Sequence, residues 1–219
     1  MKINLLCQQN SVLSNFVAEL RDCEIQKDSF RFRKNLERIG EIAAYEISKV
    51  LNYNELQVKT PFGVARAHTT NQSEIVVASI LRAAMPMHQG ILNIFDRAQN
   101  AFISAYRKSG KDNKFTIAFG YISSPSIDNK TVIICDPMLA TGSSMMVAYN
   151  ALIERGTPRT AHIVSIIASR DGVEYMKKHL PTDHDVTLWV CAVDDELTAK
   201  SYIVPGLGDA GDLAYGEKM

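Results

Sequence analysis

An apolar run, Val132-Ile133-Ile134-Cys135, ends abruptly in Asp136 and Pro137. Met138-Leu139-Ala140 and then Thr141-Gly142-Ser143-Ser144 follow before a helical pattern begins. Each of these residue types has a chemical use at its place. In open parallel sheets, ligands sit outside the carboxyl ends of the strands, which is where Asp136 stands. A turn that opens a helix offers free backbone N–H groups and the positive end of a dipole. Both favour a phosphate, and the Thr and Ser hydroxyls add donors. Gly142 lets the backbone approach closely or take a positive φ. A carboxylate repels phosphate, but it accepts hydrogen bonds from sugar hydroxyls. The stretch therefore fits a ribose phosphate, with the acid for the ribose and the turn for the phosphate. An ordinary strand–turn–helix with an Asp near the helix start fits the same letters. A Walker loop does not, because no Lys follows a Gly at the required spacing.

The elements that must position these residues are legible in the hydrophobic rhythm. Over 30–51, Phe32, Leu36, Ile39, Ala43, Ile47 and Val50 recur on one helical face, and a shorter helix is expected over 11–23. "NYNEL" and "TPFG" then punctuate. Beyond them, short apolar runs at 75–80, 117–122, 131–135, 162–168 and 186–193 alternate with helices expected near 87–98, 143–155 and 171–179. Runs that are apolar on both faces and alternate with helices indicate a parallel sheet covered on both sides. Gly156 and Pro158 mark the end of the helix that starts near Ser143. The fold class is α/β with a doubly wound, mainly parallel sheet.

The chain has 219 residues, 46% of them hydrophobic and 22% charged, enough for one large domain with a substantial core. Its 24 Lys and Arg balance 24 Asp and Glu, so no global field draws in nucleic acid or an anionic membrane. Arg31, Arg33, Lys34 and Arg38 cluster on a helix whose apolar stripe lies elsewhere, which reads as a solvated face. Cys7, Cys23, Cys135 and Cys191 show no paired spacing, so neither a disulfide framework nor a zinc site is expected. The apolar stretch in "MKINLLCQQN" is too short for a signal peptide, and the expected location is cytoplasmic. His68, His88, His162, His179 and His184 are scattered without ligand spacing, and His162 is expected to start a strand. The acidic run 194–196 reads as a solvated turn beside the presumed site.

"VIICDPMLATGSS" resembles the phosphoribosyl pyrophosphate (PRPP) signature of the uracil phosphoribosyltransferase family. Three further stretches resemble that family in matching order: "ILRA" at 80–83, "AYR" at 105–107 and "YIVPGLGDAGD" at 202–212. The resemblance covers roughly 11–217. It implies one phosphoribosyltransferase domain over 1–219, divided into a helical N-terminal region (1–60), a core (70–195) and a base-binding segment (196–217). The N-terminal helices and the C-terminal segment would form a small hood over the sheet. The implied reaction is transfer of a 5-phosphoribosyl group from PRPP to uracil, giving UMP and pyrophosphate, with Mg²⁺ carried by PRPP and no protein metal cage. Arg82 and Arg107 would hold the pyrophosphate. Asp136, Pro137, Met138, Leu139, Ala140, Thr141, Gly142, Ser143 and Ser144 would cradle the ribose and its phosphate. Ile203, Gly208, Asp209 and Ala210 would contact uracil, with Asp209 reaching toward PRPP. The resemblance further implies a homodimer or larger homo-oligomer, while a GTP effector and closure of 111–115 as a lid are left open by the sequence.

Three departures from the family pattern carry expectations of their own. Ala84 stands where the pyrophosphate loop usually has glycine, and backbone strain or crowding is expected there. Ser143 replaces a second glycine, a mild change at a helix start. "TAK" at 198–200 replaces Asn-Glu-His, and Leu213 follows "GDAGD" in place of Arg or Lys. Two other readings share the motifs: an RNA-binding regulator that senses uridine nucleotides, and a catalytically impaired paralogue on the same fold.

Overall fold

The computed structural model describes residues 1–109 and 115–217. In chain order, β1 (Lys2–Leu5) leads to α1 (Val12–Arg21) and α2 (Ser29–Ser48), then to a hairpin of β2 (Asn54–Thr60) and β3 (Gly63–Thr69). β4 (Ile75–Leu81), α3 (Met85–Ile94), β5 (Gln99–Ser109) and β6 (Phe115–Ser123) follow. Next come β7 (Thr131–Cys135), the short β8 (Met138–Leu139), α4 (Ser143–Ile153), β9 (Thr160–Ser169), α5 (Arg170–His179) and β10 (Val186–Asp194). The C-terminal segment adds β11 (Glu196–Leu197), β12 (Ile203–Val204) and α6 (Ala210–Tyr215).

The main sheet runs β1-β10-β9-β7-β4-β5-β6, with β8 paired to β9 off that path. Its neighbours are parallel except β5 and β6, which are antiparallel. Alternate residues along each strand point to opposite faces. Ile75, Val77, Ile133, Val164 and Trp189 join the core shared with α1, α2 and α3. Val76, Ala78, Val132, Ile163 and Leu188 join the core shared with α4 and α5. This two-sided burial is why the strand sequences are apolar without alternation.

The connections decide where a ligand can bind. From β4 the chain passes through α3 to β5 on one side. From β7 it passes through α4 and β9 to β10 on the other. β4 and β7 are neighbours, so the winding reverses between them and a crevice opens outside their carboxyl ends. α2 and α3 lie unusually close beneath it. A Cβ on Gly90 would stand 1.9 Å from the Glu37 carbonyl oxygen, and one on Gly40 would stand 2.3 Å from that of Met87.

The doubly wound sheet and the helices of the core follow the periodicity, except that β5 (Gln99–Ser109) is not among the expected strands. The hairpin over 54–69 stands where only punctuation is expected, although Leu56 and Val58 of β2 alternate with Glu55, Gln57 and Lys59. The helix expected over 87–98 ends at Ile94, and β5 begins at Gln99. β1 is too short to carry a period, yet it pairs with β10 over Lys2↔Thr187 to Leu5↔Val190. Among the described residues, no helix is long and apolar enough to cross a membrane.

His162 is the third residue of β9, which begins at Thr160 rather than at His162 as expected, and it has a further consequence for stability. Trp189 Nε1 donates to His162 Nδ1 at 3.2 Å, so that nitrogen must be unprotonated. Burial pulls the imidazole down from 6.5 to about 4, only partly opposed by the charge of Asp185. The unfolded chain takes up this proton near pH 6.5 and the folded chain only near 4. Stability is therefore complete above pH 6.5 and falls as the pH drops toward 4, by an expected ~3 kcal/mol at 1.36 kcal/mol per pKa unit. Urea unfolding at pH 4 to 7 measures this. His162→Asn, which keeps an acceptor for Trp189, should flatten the profile; an unchanged slope would exclude His162 as its source.

Candidate active site at the winding reversal

A cavity of about 530 Å³ opens at the carboxyl ends of β4 and β7. Its wall is drawn from 80–83, 136–145, 200–203 and 208–211. Arg82, Asp136, Met138, Leu139, Ala140, Thr141, Gly142, Ser144, Ile203, Gly208, Asp209 and Ala210 are all on it. Residues far apart in the chain, grouped by their expected chemistry, thus share one space. Pro137 and Ser143 stand off the wall. The Pro137 carbonyl accepts from Ile166 N (3.0 Å) and Ile167 N (3.1 Å). Ser143 opens α4, and its hydroxyl accepts from Thr141 Oγ1 at 3.1 Å. Arg107 lies in β5, paired with Ile117 of β6, but its side chain falls outside what is described. Of the segment 111–115, 111–114 also lie outside the described residues, and Phe115 begins β6.

The turn over 136–142 is moulded against β9. Asp136 N donates to Val164 O at 3.1 Å, and β8 lies parallel to β9 with Met138 opposite Ile167. Two buried serines complete the grip: Ser165 Oγ donates to Asp136 O (2.7 Å) and Ser169 Oγ to Ala140 O (2.5 Å). With these carbonyls tied to β9, the helix-opening end of the turn is left to face the cavity. Gly142 caps α4 at φ +78, a left-handed conformation that glycine takes freely. A Cβ there would stand 2.9 Å from Tyr175 Cδ1 and 3.0 Å from Gly172 O. Gly172 is just as constrained: its Cβ would meet Ala140 O at 2.3 Å. Ser165, Ser169 and Gly172 are absent from the site residues expected on sequence grounds. The available signal is a serine, twice, inside an otherwise apolar strand.

On the opposite wall, Arg82 follows β4 across a cis Leu81–Arg82 peptide bond. Its Nη2 donates to Asp212 Oδ1 (3.1 Å) and Gly216 O (3.2 Å), while Nε is buried without a partner. The strain expected at Ala84 is absent. Ala84 sits at φ −76, ψ −10, an ordinary right-handed conformation capping α3, fully buried in the core. Asp209 caps α6, its Oδ1 accepting from Gly211 N (3.0 Å) and Asp212 N (3.1 Å). Among the described residues, the acids on the cavity wall are Asp136 and Asp209, and the bases are Arg82 and Lys200.

The acidic run after β10 is not a solvated turn at its first residue. Asp194 is buried and takes a bidentate Arg21 guanidinium at 2.7 and 2.8 Å. Burial raises its carboxyl, but Arg21 and the Gly206 N–H outweigh that and hold it below the ordinary range. On the basic face of α2, Arg33 Nη1 reaches inward and donates to Ala214 O at 2.7 Å, while Arg31 stays solvated as expected and pairs with Glu19 at the surface. α1 and α2 therefore cover one sheet face and also hold the C-terminal segment over the strand ends. Among the described residues, no group of three or more His, Cys, Asp or Glu is placed to hold a metal ion.

A glycine-opened helix above a winding reversal, faced by a separate C-terminal segment, is the arrangement of phosphoribosyltransferase-type α/β proteins, and the fold falls in that class. A solved structure from Aquifex aeolicus, the AQ2163 protein, superposes with a TM-score of 0.86 at 30% identity, covering 98% of both chains. The model of the uracil phosphoribosyltransferase family matches residues 7–217. The uracil phosphoribosyltransferase of Porphyromonas gingivalis is 51% identical over 219 residues, spanning both chains entirely. That of Pyrococcus furiosus is 36% identical over 214 residues, 97% of this chain and 89% of its own. The chain belongs to the uracil phosphoribosyltransferase family.

Proposed function

We propose that the protein transfers the 5-phosphoribosyl group of PRPP to uracil, releasing UMP and pyrophosphate. The observation that carries this reading is one cavity faced by a moulded, helix-opening turn on one side and a glycine-rich segment on the other. The turn over 136–144 takes the ribose 5-phosphate, with backbone N–H groups and hydroxyls on the phosphate and Asp136 on the ribose hydroxyls. Arg82 and Arg107 take the pyrophosphate, whose oxygens suit a guanidinium fork. For Arg82, the incoming diphosphate replaces Asp212 as partner.

The base lies against Ile203 and 208–210. There, backbone donors and acceptors meet the carbonyls and N–H groups of uracil with little side-chain bulk. Cytosine presents an amino group in place of one carbonyl, leaving a backbone N–H unpaired. Catalysis is then positioning plus stabilisation of the negative charge that builds on the departing pyrophosphate. Asp136 and Asp209 fit a Mg²⁺ ion that arrives on the diphosphate, since Mg²⁺ is commonly held by one or two carboxylates plus substrate oxygens. When bound, it supplies positive charge to the leaving group.

The relatives are named for the transferase, so the regulator and impaired-paralogue readings are not favoured. The reading extends to a cytoplasmic homodimer or larger homo-oligomer. The exposed apolar residues Leu56, Val58, Phe62 and Val64 on the hairpin support self-association. A GTP effector rests on the family likeness alone. The test is pyrophosphate release from PRPP and Mg²⁺ with uracil, cytosine, hypoxanthine or no base. Release with uracil alone is expected. Equal release with cytosine would overturn the backbone account of the base site, and release with no pyrimidine would overturn the reaction.

A further inference from the structure

Gly206 is held at both of its backbone polar groups, which belong to two successive peptide units. Arg21 Nη1 donates to its carbonyl at 2.9 Å, and its N–H donates to Asp194 Oδ2 at 2.8 Å. Arg21 and Asp194 are at the same time paired with each other along two hydrogen bonds. The three groups form a closed ring in which each polar contact restrains the other two. Gly206 needs such a hold. It adopts φ +57, and a Cβ there would stand 2.1 Å from Ile203 O, so the chain turns back tightly on itself. A second side chain from the N-terminal region grips the next residue. The Gln26 amide, oriented with its nitrogen toward the neighbouring carbonyls, donates to Leu20 O (3.2 Å) and Leu207 O (2.7 Å). Immediately beyond these anchors, Gly208, Asp209 and Ala210 reach the cavity wall. Neither Arg21 nor Asp194 lines that wall.

We propose that the Arg21–Asp194 ion pair is a positioning device for the base subsite: it fixes the Gly206 peptide and thereby aims the 208–210 backbone at the base. This rests on the reading of 203–210 as the uracil site. Backbone readout has no rotamer with which to correct an error. A shift of the arc misplaces every donor and acceptor together, and a misplacement of about 1 Å from a distant change costs on the order of 100-fold. The phosphate turn is anchored separately on β9, so the two substrates should respond differently. Removing one partner of a buried pair also leaves the other charge uncompensated, so the conservative variant is the more informative one.

The experiment is steady-state kinetics of wild type, Arg21→Lys, Arg21→Ala and Asp194→Asn, varying uracil and PRPP separately, with hydrogen exchange over 203–212. Expected is a rise of at least tenfold in KM for uracil with Arg21→Ala. KM for PRPP should stay within threefold, Arg21→Lys should recover part of the loss, and exchange should be faster over 206–210 alone. A merely structural role would lower kcat and the melting temperature together without separating the two KM values, and that result overturns the proposal. So does a uracil KM unchanged in Arg21→Ala while wild type turns over uracil. If wild type shows no uracil-dependent release, the reading of the site fails, and this proposal with it.

Discussion

Gly172→Ala is expected to lower kcat/KM for PRPP by about 100-fold or more while leaving the protein folded. Gly172 is off the cavity wall; it lies in the first turn of α5, where alanine would ordinarily favour the helix by ~1 kcal/mol. Here the added Cβ would stand 2.3 Å from Ala140 O and 2.8 Å from Leu139 O, both backbone atoms of the turn proposed to hold the phosphate. Neither can step aside alone. Ala140 O already accepts from Ser169 Oγ, and Leu139 pairs with β9. The turn must move as a body, and displacement of a substrate-holding group by about 1 Å costs on the order of 100-fold. Initial rates at varied PRPP, with circular dichroism to check the fold, decide the matter. A kcat/KM within threefold of wild type would show that the turn tolerates the shift.

Gly90→Ala should produce the largest loss of stability in the chain, about 3 kcal/mol or more. The 1.9 Å approach to Glu37 O is far inside van der Waals contact, and the atom it meets is helix backbone. α2 and α3 would have to separate, opening the core around Leu36, Ile39, Met87 and Ile91. Gly40→Ala, with its Cβ 2.3 Å from Met87 O, acts on the same contact. The two losses should therefore sum to more than the double variant shows, since a helix pair already pushed apart gives up little more. Urea unfolding of the three variants measures all of this. Single variants within 1 kcal/mol of wild type would mean that the helices slide without cost.

The sheet is legible in the sequence because β4, β7, β9 and β10 are buried on both faces, and burial on both faces leaves an unbroken apolar run. The turn proposed to hold the phosphate is legible because glycine and hydroxyl residues in that place have few other uses. What supports the turn does not yield to the same logic. Ser165 and Ser169 act through one hydroxyl each on carbonyls 29 positions away, a relation that only strand pairing creates. Asp194 departs from its expected solvated turn for a similar reason. An acid after a strand is usually solvated, and its partner Arg21 lies 173 positions earlier. The hairpin over 54–69 leaves only a faint trace, the alternation of Leu56 and Val58 with Glu55, Gln57 and Lys59, because so short and exposed a pair carries few large apolar residues. Ala84 shows the opposite error. A glycine expected from the family pattern suggests strain, yet the helix start it occupies asks nothing special of the backbone.

The hold of Arg21 on Gly206 spans 185 positions of the chain, and that distance has a meaning during synthesis. At 5–20 residues per second, roughly 10–40 s separate the emergence of Arg21 from that of Gly206. In that interval β4, β7 and β9 can complete the phosphate half of the cavity, while α1 carries a cation whose partners have not yet been made. The segment that carries Gly208, Asp209 and Ala210 therefore cannot be anchored until synthesis is nearly over, whereas every residue of the turn over 136–144 and of β9 has been made well before.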